Sequence, residues 1–386
     1  MSVCMIAPNR PIRLALFGGG PGAFIGAVHR RAALLDLRFQ LVAGAFSRDA
    51  SRSAAQARAF MVDEARAYTS VEALIAGEIG REDGVEAVAI ATPNDSHFAI
   101  AEAALKAGLH VISDKPMTST LAQATALEQI VAQTDCAYAL TYTYIGYPMI
   151  REARASVASG LLGRVRKIVV TYPQGWLSDS VEHTLPGAAW RTDPSRAGIG
   201  GCIGDIGVHA FQLAEYISGL CVERLCADLS SVVQDRVLDD DCNILLRFAG
   251  DVPGVLMASQ ISLGERNGLS IAIYGEQRAL SWSHERPGEL RFLHPDNRME
   301  TVFAGSAAIG PDGMAASRLP AGHPEGFIEA FASIYSDFAD AIQGQRGLLD
   351  GRLPGIETGL RSMRFVAAAV ASSQNRSWIE MENSQQ

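Results

Sequence analysis

The 386-residue sequence predicts a doubly wound α/β domain followed by an α+β domain with an open, mainly antiparallel sheet. Three observations carry that prediction. The first third alternates short, continuously apolar runs with longer alanine-rich segments, the pattern of a parallel sheet covered on both faces. The earliest run ends in the glycine cluster Gly18-Gly19-Gly20-Pro21-Gly22, directly before a helix-like stretch. After Tyr144 the texture changes to alternating strands joined by turns, the signature of antiparallel pairing.

Taken in order, Ile12 to Phe17 reads as a strand, and a helix runs from the glycine cluster to about Leu35. Phe39 to Phe46 is a second strand followed by alanine-rich sequence to Phe60. Glu86 to Thr92 is a third, with a helical pattern from Ser96 to Ala107, and His110 to Ser113 is a fourth. In the second half, strands are expected at Lys167 to Tyr172, Val222 to Val233, Cys242 to Phe248, Val255 to Ser262, Leu269 to Tyr274 and Ala279 to Ser283. Helices are expected at Asp205 to Ile217 and Glu325 to Ile342, and the glycine- and alanine-rich stretch from Thr301 to Pro324 reads as a loop.

Composition narrows the partners. The net charge of −9 is dispersed, with no block of lysine and arginine, which argues against nucleic acid or an anionic membrane surface. Six cysteines occur singly without a C-x-x-C pair, a usage that suits a reducing cytoplasm better than a disulfide framework or a zinc site. No signal-peptide segment and no long uninterrupted apolar run occur, so a cytoplasmic location is expected and no metal site is assigned.

Gly18-x-Gly20-x-x-Ala23 fits the dinucleotide fingerprint, with a strand before it and a helix opening at Phe24. Glycines there allow the tight turn and let a pyrophosphate approach the backbone N–H groups of a helix N-terminus. Gly22 and Gly26 offer other registers for the third position. At the end of the second strand an acidic residue would take a ribose 2′-hydroxyl and a cation would accept a 2′-phosphate. Ser47 and Arg48 stand there, followed by Asp49, so the cofactor is NAD or NADP with a lean toward NADP.

The run Gly200-Gly201-Cys202-Ile203-Gly204-Asp205-Ile206-Gly207-Val208-His209 sets a carboxylate and an imidazole four positions apart after a glycine cluster, and a helix would bring them to one face. By itself the pair reads more readily as a capping aspartate and a core histidine. The rest of the chain turns it into half of an active site.

Together with Ala91-Thr92-Pro93-Asn94, His97, Ser113-Asp114-Lys115-Pro116 and Trp190-Arg191, these motifs give a chain that resembles the Gfo/Idh/MocA family of sugar and polyol dehydrogenases. The resemblance runs from the first strand through the helix after His323-Pro324-Glu325-Gly326. It implies a Rossmann domain over residues 1–140 and a substrate-binding and oligomerisation domain over 141–386, with dimers or tetramers formed through a large sheet. Lys115 corresponds to the family's catalytic-site lysine, Asp205 to its substrate-binding aspartate and His209 to its proton-transfer histidine. Thr92, Pro93, Asn94 and His97 match the loop that lines the cofactor, with Asp114 beside them. The sequence departs from the family in having D-K-P for E-K-P, a longer glycine turn, and Ile145 after Tyr144 where an arginine is common.

Hydride chemistry on a secondary alcohol also needs a group to take the hydroxyl proton. Histidine, which titrates near ~6.5, suits that at His209. Lys115 would stabilise the developing negative oxygen and Asp205 would bind a neighbouring hydroxyl. Tyr144, Trp176, His183, Trp190, Arg191 and His323 are further candidates for a sugar pocket, each with an equally good structural reading. His284 and His294 read as surface residues. The expected function is NAD(P)-dependent interconversion of a secondary alcohol and a ketone on a sugar, glycoside or cyclitol, C3 of a pyranoside among the candidate carbons. A nucleotide-binding sensor, or an enzyme that retains and recycles its cofactor, is the alternative.

Overall fold

The structure, a computed structural model, describes residues 10–345 and 351–381. The chain divides into two compact units. One comprises the described residues up to Tyr142 together with those of Phe331–Leu360; the other comprises Thr143–Ala330 and those from Arg361 onward. The chain thus returns to the first unit late, a crossing that a single boundary near residue 140 does not carry.

The first unit is built on a five-stranded parallel sheet of β1 (Ile12–Gly18), β2 (Phe39–Ala45), β3 (Ala87–Ala91), β4 (His110–Ser113) and β5 (Tyr138–Leu140), in the order β2-β1-β3-β4-β5. Every residue of β3 and β4 is buried, as a parallel strand covered by helices on both faces requires. An isolated parallel bridge from Gly44 to Ala67 marks the start of a further edge outside β2. Strand order reverses between β1 and β3, so the crevice outside their carboxyl ends is where an open α/β sheet binds its ligand. The returning helix Phe327–Ile342 brings Tyr335 to the first unit, where its hydroxyl meets His29 Nδ1 at 2.7 Å.

The second unit carries a nine-stranded sheet of β6 (Val165–Pro173), β7 (Val222–Ser230), β8 (Asp241–Phe248), β9 (Val252–Ser259), β10 (Ser270–Gly275), β11 (Ala279–Ser283), β12 (Glu289–Leu293), β13 (Met299–Phe303) and β14 (Ile379–Glu380). Its order is β13-β12-β11-β10-β6-β9-β8-β7-β14. All neighbours are antiparallel except β6 and β9. Burial alternates along the strands, with Ile168, Val170, Ile244, Leu246, Ile271 and Ile273 on the buried side, and the helix Val208–Ser218 packs on β6 and β9 while Pro148–Ala158 packs on β11 and β12. Among the described residues, no helix is long and apolar enough to cross a membrane, and no group of three histidine, cysteine or acidic side chains is arranged to hold a metal ion.

Candidate active site

In the first unit the sequence fingerprint becomes a cradle of bare backbone at adjoining strand ends. Gly18 pairs in register with Ala91, has φ of +89°, and a Cβ there would stand 2.5 Å from the Ala91 carbonyl oxygen. A Cβ at Gly20 would meet the Phe46 carbonyl at 2.8 Å, and one at Gly26 would fall 2.2 Å from Gly19 Cα. Gly26, rather than Ala23, is therefore the position that lets the helix Phe24–Leu35 close onto the turn. Ala23 opens that helix, its N–H bonded to Gly20 O at 3.0 Å, and Phe24 is exposed. The uncommitted N–H groups of the first helical turn complete an anion-binding end, so these residues fit a dinucleotide pyrophosphate.

At the end of β2, Ser47 Oγ accepts from the Asp49 N–H at 3.2 Å, and Asp49 caps the next helix by accepting from Arg52 N at 2.8 Å, while Arg48 is exposed. At the end of β3, Ser96 Oγ donates to Thr92 Oγ1 at 2.7 Å. His97 is buried and spans two carbonyls, Thr92 O at 2.8 Å from Nε2 and Pro116 O at 2.9 Å from Nδ1, which braces the Thr92-Pro93-Asn94 turn against the next strand end. There, Asp114 Oδ1 accepts from the Lys115 N–H and from Thr141 Oγ1, both at 2.9 Å, and the Lys115–Pro116 peptide is cis. Lys115 itself is half-buried.

In the second unit, Ile203–Gly207 forms a π-helical turn that runs into the α-helix Val208–Ser218. A helix from Asp205 was expected; the wider turn at its start is the kind of local irregularity that recurs at functional sites. Asp205 Oδ2 accepts from Arg191 Nε at 3.2 Å and from Gln260 Nε2 at 2.9 Å. The Arg191 guanidinium lies 4.3 Å from the Trp190 ring and 5.8 Å from that of Trp176, so Trp176, Trp190, Arg191 and Asp205 form one cluster. His209 is buried edge-on to Tyr144, ring centres 5.0 Å apart, with Tyr172 at 6.4 Å.

Behind the histidine stands a polar network. The Tyr144 and Tyr172 hydroxyls are hydrogen-bonded to each other, Tyr172 donates to Asn267 Oδ1 at 2.7 Å, and Asn267 Nδ2 donates to Tyr144 at 3.2 Å. Gln174 also donates to Asn267 Oδ1 at 2.7 Å and accepts from the Trp176 indole at 2.9 Å. His284 joins through Asn267 and through the Tyr147 hydroxyl, 3.1 Å from its Nε2. Burial pushes the Tyr144, Tyr147 and Tyr172 hydroxyls above the ordinary phenol value and the His284 imidazole below the ordinary histidine value, so all four stay uncharged near neutral pH.

Two candidates stand apart: His183 and His323 are exposed, and His323 turns to its own loop at Pro320 O, 3.2 Å away. His284 corrects the sequence reading, since packing against Tyr144 and Tyr147 leaves half-buried a residue expected at the surface. Gln260, Asn267 and Asp239 were not singled out. They follow or precede strands, and an isolated polar residue at a strand end looks like a turn until the partner strand is known.

Residues 12–142 match a family described as an oxidoreductase family with an NAD-binding Rossmann fold, and residues 150–281 match the GFO/IDH/MocA C-terminal domain. This chain belongs to the Gfo/Idh/MocA oxidoreductases. It is 32% identical to the uncharacterized oxidoreductase YfiI of Bacillus subtilis over 97% of this chain and 98% of that one. It is 27% identical to levoglucosan dehydrogenase of Pseudarthrobacter phenanthrenivorans over 77% of this chain and 80% of that one. Among solved structures, the inositol dehydrogenase homolog from Azotobacter vinelandii complexed with NAD+ superposes with a TM-score of 0.93 at 36% identity, covering 96% of this chain and 98% of that chain. As a Gfo/Idh/MocA member the chain is an oxidoreductase of the sugar and inositol dehydrogenase type with an NAD-binding Rossmann domain.

Proposed function

We propose that this protein is an NAD(P)-dependent dehydrogenase that interconverts a secondary alcohol and a ketone on a sugar, glycoside or cyclitol, C3 of a pyranoside being a candidate carbon. The observation that carries the reading is the setting of Asp205 and His209: one turn of helix holds both, with Asp205 braced by Arg191 and Gln260 and His209 walled by phenols. Relatives named for levoglucosan and for inositol support a neutral polyol as substrate.

The nicotinamide supplies the hydride acceptor or donor. Gly18, Gly20, Ala23, Phe24, Ser47, Arg48, Thr92, Pro93, Asn94, His97, Asp114 and Lys115 are the residues proposed to hold the cofactor. In the oxidative direction His209 accepts the hydroxyl proton, and Lys115 stabilises the oxygen as it gains negative charge. Asp205 binds an adjacent hydroxyl in a fixed orientation, because Arg191 and Gln260 both engage the same oxygen. The buried tyrosines remain protonated and offer hydrogen bonds rather than a base. Trp176, Trp190 and Tyr144 supply apolar faces for a sugar ring, with Arg191 between the tryptophans and His183 and His323 at the margin.

Ser47 and exposed Arg48 favour NADP, and Asp49 is already engaged as a helix cap. Self-association through one face of the nine-stranded sheet completes the proposal. Leu245, Val255, Val169 and Ala272 line up there across four neighbouring strands, with Leu245 exposed. The function is tested by turnover of pyranoses, glycosides and inositols with NAD+ and with NADP+, and the assembly by light scattering of wild-type protein and Leu245→Glu.

A further inference from the structure

The loop between β7 and β8 ends in Leu238-Asp239-Asp240, and its middle residue is tied to the main chain of the π-helical turn. Asp239 Oδ1 accepts from the Gly201 N–H and Oδ2 from the Ile203 N–H, both at 2.7 Å, and the Asp239 carbonyl accepts from the Cys202 N–H at 2.7 Å. One residue therefore holds three backbone donors that the start of a helix leaves without intrahelical partners. Gly201 is required by the same contact, since a Cβ there would stand 2.2 Å from the Asp239 carbonyl oxygen. Gly201 O in turn accepts from the Asp205 N–H at 2.8 Å, so the carboxylate of Asp239 and the backbone of Asp205 are two hydrogen bonds apart.

Neighbouring bonds make this anchor rigid. Asp240 accepts from Val232 N and Val233 N at 2.9 and 3.0 Å and from Arg236 at 3.1 Å. Its carbonyl accepts from the Gln260 N–H at 2.9 Å, and the Gln260 side chain holds Asp205 Oδ2. Asp239 thus grips the main chain ahead of Asp205 from the loop before β8, while Gln260 grips its side chain from just after β9.

We propose that Asp239 is a positioning residue for the reaction, setting the rotation of the Ile203–Gly207 turn and with it the stations of Asp205 and His209. The inference rests on the reading that those two residues carry the chemistry. A misplacement of about 1 Å at a reacting group costs up to about a hundredfold in rate, whereas loosening a loop that serves stability alone leaves the rate of the folded protein unchanged. Asp239→Asn keeps the size of the side chain and surrenders one of its two acceptors. Asp239→Glu keeps the charge and both acceptors at a longer reach.

The test measures kcat, KM, NADH binding by fluorescence and thermal midpoint for wild type, Asp239→Asn, Asp239→Glu, Asp205→Asn and His209→Ala, with NAD+ or NADP+ and the panel member among levoglucosan, myo-inositol and D-glucose that wild type turns over fastest. Expected for Asp239→Asn is a fall in kcat of about tenfold to a hundredfold, a KM within about threefold of wild type and unchanged NADH binding. Asp239→Glu is expected to recover part of that loss, and it carries the test if the asparagine variant does not fold. Wild-type kcat in both folded Asp239 variants, with activity lost in Asp205→Asn and His209→Ala, overturns the inference and leaves the reading standing. Retained turnover in Asp205→Asn and His209→Ala, or no turnover of the panel by wild type, removes the reading and the inference with it.

Discussion

Arg191 donates through Nε to Asp205 Oδ2 at 3.2 Å while its guanidinium plane lies over Trp190, 4.3 Å from the ring centre. The ion pair and the stack hold Arg191 from two sides, the indole beneath its guanidinium and the Asp205 carboxylate, proposed above to receive a substrate hydroxyl, at its Nε. Arg191 also reaches Gly187 O at 2.8 Å, which ties the cluster to the short helix Pro186–Arg191.

Loss of that brace is expected to weaken substrate binding more than chemistry. Arg191→Leu should raise KM by about tenfold with kcat reduced by less than about threefold, the signature of an interaction made equally in ground and transition states. Arg191→Lys should not rescue it, because a point charge on a flexible stem lacks both the planar fork and the stack. Steady-state kinetics on the best panel substrate checks both variants.

The tyrosine pair makes a contrasting prediction. Tyr144→Phe removes a hydroxyl bonded to Tyr172 and Asn267 and leaves buried polar groups short of a partner, at about 1–3 kcal/mol of stability. Since burial keeps this phenol protonated, the pH dependence of kcat should be unchanged. Denaturant unfolding and a pH–rate profile of the variant separate the two effects.

His29 should make the first unit acid-sensitive. Its imidazole is fully buried and pushed down to about 4 by loss of water, against about 6.5 in an unfolded chain. Between those values the unfolded chain binds the additional proton, so stability rises with pH across the window. The contribution is complete above about 6.5 and is lost as pH falls toward 4, on the order of 3 kcal/mol in total. Urea midpoints measured at intervals over this range should slope less in His29→Gln, whose amide still reaches Tyr335 and carries no titrating proton.

Gly26→Ala tests the closure of the first helix onto the glycine turn. A Cβ 2.2 Å from Gly19 Cα cannot be accommodated without moving backbone on one side. The expected result is at least a tenfold loss of NADH affinity together with destabilisation of about 1–3 kcal/mol, read by fluorescence titration and thermal unfolding.

Cofactor preference is expected to follow Arg48, which is exposed while Asp49 is committed to capping. Arg48→Ala should raise KM for NADP+ by about tenfold and leave KM for NAD+ within about twofold, since the phosphate contact is a charge-assisted bond that NAD+ lacks.

Much of the fold was legible because its signals are local. A short, continuously apolar run bounded by turn residues reads as a strand of a covered sheet, and β1 to β4 stand where Ile12 to Phe17, Phe39 to Phe46, Glu86 to Thr92 and His110 to Ser113 place them. The three residues of β5 and the two of β14 are too short to show a period. The helix Pro148–Ala158 lies beside stronger strand signals, and proline at its first position is the one local mark of its start. In the site, Asp205 and His209 were visible through spacing along one helix. Gln260 and Asn267 meet Asp205 and Tyr144 only through tertiary packing, and the Asp239 carboxylate reaches Gly201 across thirty-eight positions of sequence, a separation at which no periodicity speaks.

The central claim is that Asp205, His209 and Lys115 drive alcohol oxidation coupled to a nicotinamide. Its most direct test follows formation of reduced cofactor while wild type and His209→Ala are offered NAD+ or NADP+ with levoglucosan, myo-inositol and simple pyranosides. The account predicts sustained turnover by wild type and a loss of about a hundredfold or more in the variant. Full activity in His209→Ala would contradict it, as would cofactor binding by wild type with no more than one equivalent reduced on every substrate.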